Sequence, residues 1–216
     1  MTELILVRHG VTKYNVDRRV QGSLETSLLK EGIGQAKDLG KKLAREPIDA
    51  AYCSNLYRAK QTAKEVLKYH KRLRLHCFSE LNERSFGIAE GFSGRELQKY
   101  PGILSEADAI LDHHYKPEKG ESWNEVRHRA MKVIRKIVQQ HANDTVFVAA
   151  HGGTNRMILS GLLGLPIQKS FVFRQHNACI NRLSIRNKRV RVTVINDTCH
   201  IQQKHFVGKM HSRENK

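Results

Sequence analysis

Apolar residues along this chain fall into two alternating periods. An apolar run at residues 4–7 (LILV) and another that follows Thr145 within 145–150 (TVFVAA) both read as short strands buried on two faces. Further strands are predicted at 48–54 and 73–78, and at 179–185 and 190–195 around an Asn187–Lys188 turn. Between these runs the period lengthens to that of a helix. Ile33, Ala36, Leu39 and Leu43 share a face over residues 30–45, and Ala59, Ala63, Val66 and Leu67 do so over 56–69. The clearest helix starts at a capping box, Ser122 with Glu125, followed by Val126, Ala130, Val133, Ile134, Ile137 and Val138 at helical spacing. Residues 153–163 predict one more.

Strands alternating with helices predict an α/β three-layer sandwich: a mostly parallel central sheet with helices on both faces. Residues 85–121 lack either period and hold Pro101 and Pro117. A single domain over 1–216 is therefore expected, with a small helical insertion at about 91–121 and a basic tail at about 200–216. In such sheets ligands collect beyond the carboxyl ends of the strands. Those ends carry unusual residues. The first run stops at Arg8-His9-Gly10, the second strand at Ser54-Asn55 with Arg58 one turn later, and the TVFVAA strand at His151-Gly152-Gly153. The glycines are expected to let backbone approach a ligand closely.

Two histidines and two arginines at one sheet edge suit phosphoryl transfer. A neutral imidazole can act as nucleophile near pH 7. Arginine forks hold phosphoryl oxygens bidentately, and a second, protonated histidine adds a donor where charge develops. An acid for the leaving group is also needed. Glu83 in ELNERSFGIAEG, flanked by Gly87 and Gly91, is the candidate, with Glu80 and Glu90 as rivals. A general acid needs a raised pKa, whereas neighbouring arginines lower it, so burial or a bound dianion must offset them.

These stretches resemble the histidine phosphatase superfamily, in its phosphoglycerate mutase-like branch. LVRHGVTKYN resembles the nucleophile motif, SNLYRAKQTA the second-arginine motif, LNERSFGIAEG the acid loop and AAHGGTNR the second-histidine motif, in the family's order. The resemblance implies that His9 becomes phosphorylated, that Arg8, Arg58 and His151 bind the phosphoryl group, and that Glu83 protonates the leaving oxygen and then helps water attack. It implies that Asn15, Gln21, Gly22 and the Gly152 backbone complete the pocket. No metal and no cofactor are implied. QGSLETSLLKEG departs from the family's Q-G-x-x-D-x-P-L-T-x-x-G, with Glu25 for Asp, Ser27 for Pro and Leu29 for Thr. Loss of the threonine cap is expected to fray the first turn of the following helix unless Ser27 or Lys30 takes over.

The family includes 2,3-bisphosphoglycerate-dependent phosphoglycerate mutases, which stay open as an alternative. Mutases resembling this chain carry a longer insertion and an RHYG-like turn where RSFG stands here, so a phosphatase acting on a small phosphorylated metabolite is favoured. Phe92, Tyr100, His113, His114 and Tyr115, with Arg174, Gln175, His176 and Asn177, are candidates to face the substrate, and packing is the competing role. Trp123 is expected to anchor the core, and Arg127 and Arg129 to lie on a solvated face.

Composition narrows the partners. The 216 residues are 39% hydrophobic, which is globular, and carry a formal net charge of +17, a field that attracts small anionic phosphorylated substrates and other polyanions. Arg182, Arg186, Lys188, Arg189 and Arg191, with Lys204, Lys209, Arg213 and Lys216, raise nucleic-acid binding as an alternative of another class. No nucleic-acid-binding signature accompanies them, which argues against it. No apolar run approaches the roughly 20 residues of a membrane span, and no signal peptide is visible, so a cytoplasmic protein is expected. Oligomeric state is not legible. Cys53, Cys77, Cys179 and Cys199 show no ligand spacing and are expected to be buried, reduced thiols.

Overall fold

Strands β1 (Thr2–Arg8), β2 (Ala50–Ser54), β3 (Leu75–Phe78), β4 (Thr145–Ala150), β5 (Ile180–Arg186) and β6 (Arg189–Asp197) form one sheet in the order β3-β2-β4-β1-β5-β6. The first four are parallel, and β5 and β6 add an antiparallel edge. This computed structural model describes residues 1–99, 112–187 and 189–207. Tyr100, Lys188, the middle of the expected insertion and the tail from residue 208 lie outside the described residues.

Alternation of side chains along the strands divides the core in two. Leu4, Leu6, Val146, Val148 and Ala150 pack on Ala130, Val133, Ile134 and Ile137 of α3 (Trp123–Gln140) and on Ile158 and Leu159 of α4 (Gly152–Leu162). Ile5, Val7, Ala51, Cys53, Phe147 and Ala149 pack on Leu39 and Leu43 of α1 (Lys30–Leu43) and on Ala63 and Val66 of α2 (Tyr57–Leu67). This is the expected three-layer arrangement. Burying each Leu or Ile in it stabilises the fold by roughly 1.5–3 kcal/mol relative to exposure.

Local chemistry sets the helix starts. In α3, Ser122 Oγ accepts from Glu125 N (3.2 Å) while the Glu125 carboxylate accepts from Ser122 N (2.7 Å), the expected capping box. Neither Ser27 nor Lys30 takes over the cap: Leu29 stands at the N-cap of α1 with no side-chain bond. Glu25 instead reaches forward, and its Oε2 accepts from Tyr57 N, the first residue of α2 (2.9 Å).

The cysteines divide in two. Cys53 and Cys179 are buried as expected, but Cys77 and Cys199 are exposed. Cys77 lies on β3, an edge strand with a largely uncovered face. Cys53 and Cys77 stand in register on β2 and β3 with sulfurs 3.2 Å apart.

Because β1, β2 and β4 are parallel and adjacent, their carboxyl ends bring Arg8-His9, Ser54-Asn55 and Ala150-His151 to the same edge.

Candidate active site

His9 leaves the end of β1 and is 2% exposed. Its Nδ1 lies 2.7 Å from the Gly10 carbonyl oxygen. A carbonyl only accepts, so Nδ1 carries the proton and Nε2 keeps a free lone pair. The backbone oxygen of His9 accepts from Asn177 Nδ2 (3.2 Å) and Ala178 N (3.1 Å), which anchors the ring from the β5 side. His151 faces it, with ring centroids 5.1 Å apart. Burial, reinforced by Arg58 and Arg8, holds both imidazoles well below the ordinary histidine range, so both are neutral in the free protein.

The arginines are built in from separate elements. Arg8 ends β1 and donates through Nη1 to the Gln175 oxygen (2.5 Å). Arg58, fully buried on α2, donates to the oxygens of Leu24 (2.8 Å) and Gly22 (2.7 Å). Burial pulls it down to about 10, against the opposing pull of Glu83 and Glu25, and it remains charged at neutral pH. Arg8 Nε, Arg58 Nε and His151 Nδ1 are buried without a hydrogen-bond partner among the described residues. Buried polar atoms left this way are costly unless a ligand satisfies them, and the two guanidinium donors among them suit an anion.

Glu83 is seated on the first turn of α4. Its Oε2 accepts from Gly153 N (2.9 Å), and its Oε1 accepts from Thr154 N (3.0 Å), Thr154 Oγ1 (3.2 Å) and Arg84 N (3.0 Å). The rivals are occupied elsewhere. Glu90 clamps Ser23 N and Phe86 N, and Glu80 accepts from its neighbour Ser79. Only Glu83 of the three candidates reaches the turn that begins at His151.

Of the remaining expected site residues, Asn15 Oδ1 accepts from Thr12 N and from Asn177 Nδ2, tying the loop after His9 to the segment behind it. Gln21 bonds Thr12 and Thr26. Gly22 has φ +52°, where a side chain would strain the backbone and strike Glu90. A Cβ on Gly152 would stand 3.3 Å from Arg8 Nε. Gln21 and Gly22 thus act on the loop that holds Arg58, and Gly152 makes room for Arg8.

Three cations were misread or missed in the sequence. Arg129 is not on a solvated face. It donates to the oxygens of Glu80 and Asn82 (both 2.7 Å) and Glu83 (3.1 Å), and pairs with Glu121 at 2.7 Å, so it braces the acid loop. Arg127 also turns inward, to the Leu165 oxygen. Arg84, which sequence reasoning passed over, is fully buried, bonds the oxygens of Glu121 and Tyr115, and lies 4.5 Å from the Trp123 ring. Its adjacency to Glu83 was the only signal.

Phe92 and Tyr115 pack around Ala89 and Leu97, and Trp123 joins Val126, Met157 and Ile167, so these three belong to packing. His113 and His114 bond Gln168 and Asn124. Gln175 is buried against Asn155 and Asn181, while Arg174 and His176 are exposed. Among the described residues, no group of three or more His, Cys, Asp or Glu side chains is placed to hold a metal ion. Nor is any helix among them long and apolar enough to cross a membrane.

The profile of the histidine phosphatase superfamily (branch 1) matches residues 4–198, which includes every residue of this constellation. The chain belongs to that superfamily. A metal-independent phosphoserine phosphatase of Arabidopsis thaliana is 30% identical over 212 residues, 97% of this chain and 87% of the relative. The adenosylcobalamin/alpha-ribazole phosphatase of Escherichia coli K12 is 30% identical across 89% of this chain and 95% of its own. Among solved structures, Bacillus stearothermophilus YhfR superposes with a TM-score of 0.87 at 28% identity, covering 94% of this chain and all of that one. This histidine phosphatase is therefore a phosphoric monoester hydrolase that works through a phosphohistidine.

The buried neutral histidines predict an acid-labile fold. Unfolded, each titrates near pH 6.5. Folded, each binds its proton only at much lower pH. Below about pH 6.5 the unfolded chain therefore holds up to two more protons, and stability falls with each further drop in pH. Denaturant melts from pH 7.5 to 5.0 should lose stability in that window, and His151→Gln should remove about half of the loss. A pH-independent midpoint would contradict the assignment.

Proposed function

We propose that His9 Nε2 attacks the phosphorus of a small phosphomonoester while Arg8, Arg58 and His151 hold the phosphoryl oxygens and Glu83 serves the leaving group. The observation that carries this reading is the Nδ1 bond to the Gly10 oxygen, which leaves Nε2 as the free nucleophile beside two buried, unsatisfied guanidinium donors. In the first step the P–Nε2 bond forms, the P–O ester bond breaks, and the leaving alkoxide takes a proton from Glu83. In the second, Glu83 takes a proton from water, the oxygen attacks phosphorus, and His9 departs with its lone pair restored. Asn15, Gln21, Gly22 and Gly152 keep the cradle in shape. No step requires a metal, and the chemistry runs in the cytoplasmic setting expected from the sequence.

Glu83→Gln should lower kcat/KM, which reports the phosphorylation step alone, about 10²- to 10⁴-fold on alkyl phosphates and far less on p-nitrophenyl phosphate, whose leaving group needs no proton. Equal losses on both would remove Glu83 from the role of acid. The test of the whole reading is a chelator-treated assay on phosphoserine, alpha-ribazole phosphate and 3-phosphoglycerate, the last with and without 2,3-bisphosphoglycerate. Released phosphate in EDTA is expected. Isomerisation without release makes the protein a mutase, and activity only with added metal overturns the mechanism.

A further inference from the structure

We infer that Ser54 and Asn82 are positioning residues that lock the tautomer of His151, so that the pocket must take up a proton when it binds a phosphoryl dianion. Asn55 N, a backbone donor, lies 2.9 Å from Asn82 Oδ1 and thereby fixes that atom as an acceptor. Ser54 Oγ lies 2.8 Å from the same oxygen, so the single hydroxyl hydrogen points there. The hydroxyl oxygen can then only accept from its other neighbours. One is Leu56 N at 3.0 Å, and the other is His151 Nε2 at 2.7 Å. Nε2 must therefore carry a proton. A neutral imidazole has one, so Nδ1 is bare, and it is buried with no partner among the described residues.

A bare lone pair repels an anionic oxygen. His151 can donate to a phosphoryl group only after Nδ1 gains a proton from solvent, which turns the ring into an imidazolium with both nitrogens donating. The charged and titratable groups around it are His9 and Arg8 from the β1 end, Arg58 from α2 and Arg129 from α3, with Glu83 across from Arg8 and Arg58. The cations resist protonation while the pocket is empty, and a dianion removes that resistance. Asn82 is itself held, since its backbone oxygen accepts from Arg129 Nη1 and Thr154 Oγ1, both at 2.7 Å. It directly precedes Glu83, so the chain that sets the His151 tautomer is continuous with the acid loop.

The inference rests on the phosphate-pocket reading above, and the test separates the two. The full chain, ¹⁵N-labelled at histidine, is observed by long-range ¹H–¹⁵N correlation at pH 8, free and with tungstate, a dianion at that pH. The free protein should show His151 as the Nε2–H tautomer, and tungstate should convert it to imidazolium. Calorimetry in two buffers of different ionisation enthalpy should record about one proton taken up per tungstate bound. Ser54→Ala should populate the Nδ1–H tautomer and lower kcat about tenfold or more with little change in KM, and Ser54→Thr should restore the Nε2–H form. An Nδ1–H tautomer or an imidazolium in the free wild type overturns the inference without any variant, and so does tungstate binding with no proton uptake. Failure of tungstate to bind overturns the pocket reading instead, while the free-protein spectrum still decides the role of Ser54.

Discussion

His9→Ala is expected to lower kcat/KM by at least about 10⁴-fold, roughly 5.5 kcal/mol of transition-state stabilisation, and to abolish acid-labile phosphorylation of the protein. The loss is large because no neighbour can replace the nucleophile. His151 is 5.1 Å away between ring centroids, and its Nε2 is engaged by Ser54. Glu83 is engaged by four donors on and beside α4. The anion cradle should survive, because Arg8 is held by the Gln175 oxygen and Arg58 by the oxygens of Leu24 and Gly22, and none of these contacts involves the imidazole. Tungstate should therefore still bind the variant. Substantial turnover by His9→Ala, or a phosphoenzyme still formed without it, would remove His9 from the mechanism.

The layers of the fold were legible because their signal is periodic. The capping box of α3 and the run of β4 lie where the apolar pattern puts them, and parallel strand ends then place His9 and His151 together. What escaped the sequence depends on long-range partners. Arg127 and Arg129 lie on a charged helix segment that reads as solvated, yet Arg129 finds three carbonyls of the acid loop some 46 to 49 residues away in sequence. Leu29 replaces a threonine cap without a substitute, because Leu29 N is already tied to the Val11 oxygen and the turn is held from outside the helix. Glu25, a departure from the family pattern, gained a role by capping a different helix. Neither local propensity nor motif spacing encodes such contacts.

The glycines at the strand ends predict room for a ligand, but Gly10 serves a contact between two stretches of backbone. A Cβ on Gly10 would lie 2.4 Å from the Gly32 oxygen, and a Cβ on Gly32 would lie 2.2 Å from the Val11 oxygen. The loop after His9 therefore lies backbone to backbone against the first turn of α1, an approach that only paired glycines allow. The contact is reinforced on both sides. Val11 N donates to Gln35 Oε1 (2.9 Å), and Gly10 N donates to Thr62 Oγ1 (3.1 Å). Gly10→Ala must push apart two backbones with no flexible side chain between them. It is expected to destabilise the protein by about 3 kcal/mol or more and to lower Tm by roughly 6–12 °C. Because the Gly10 oxygen fixes the Nδ1 proton of His9, the same shift should misplace the nucleophile and lower kcat at least about tenfold in the protein that remains folded. Gly34→Ala is the contrast on the same helix. Its Cβ meets the ring of His205, a side chain rather than backbone, and displacing that ring costs the His205–Asp38 contact without moving the loop after His9, so a smaller stability loss and near-normal kcat are expected. Equal effects of the two substitutions, or a Gly10→Ala protein with unchanged Tm and kcat, would show that the backbone contact does not position the nucleophile.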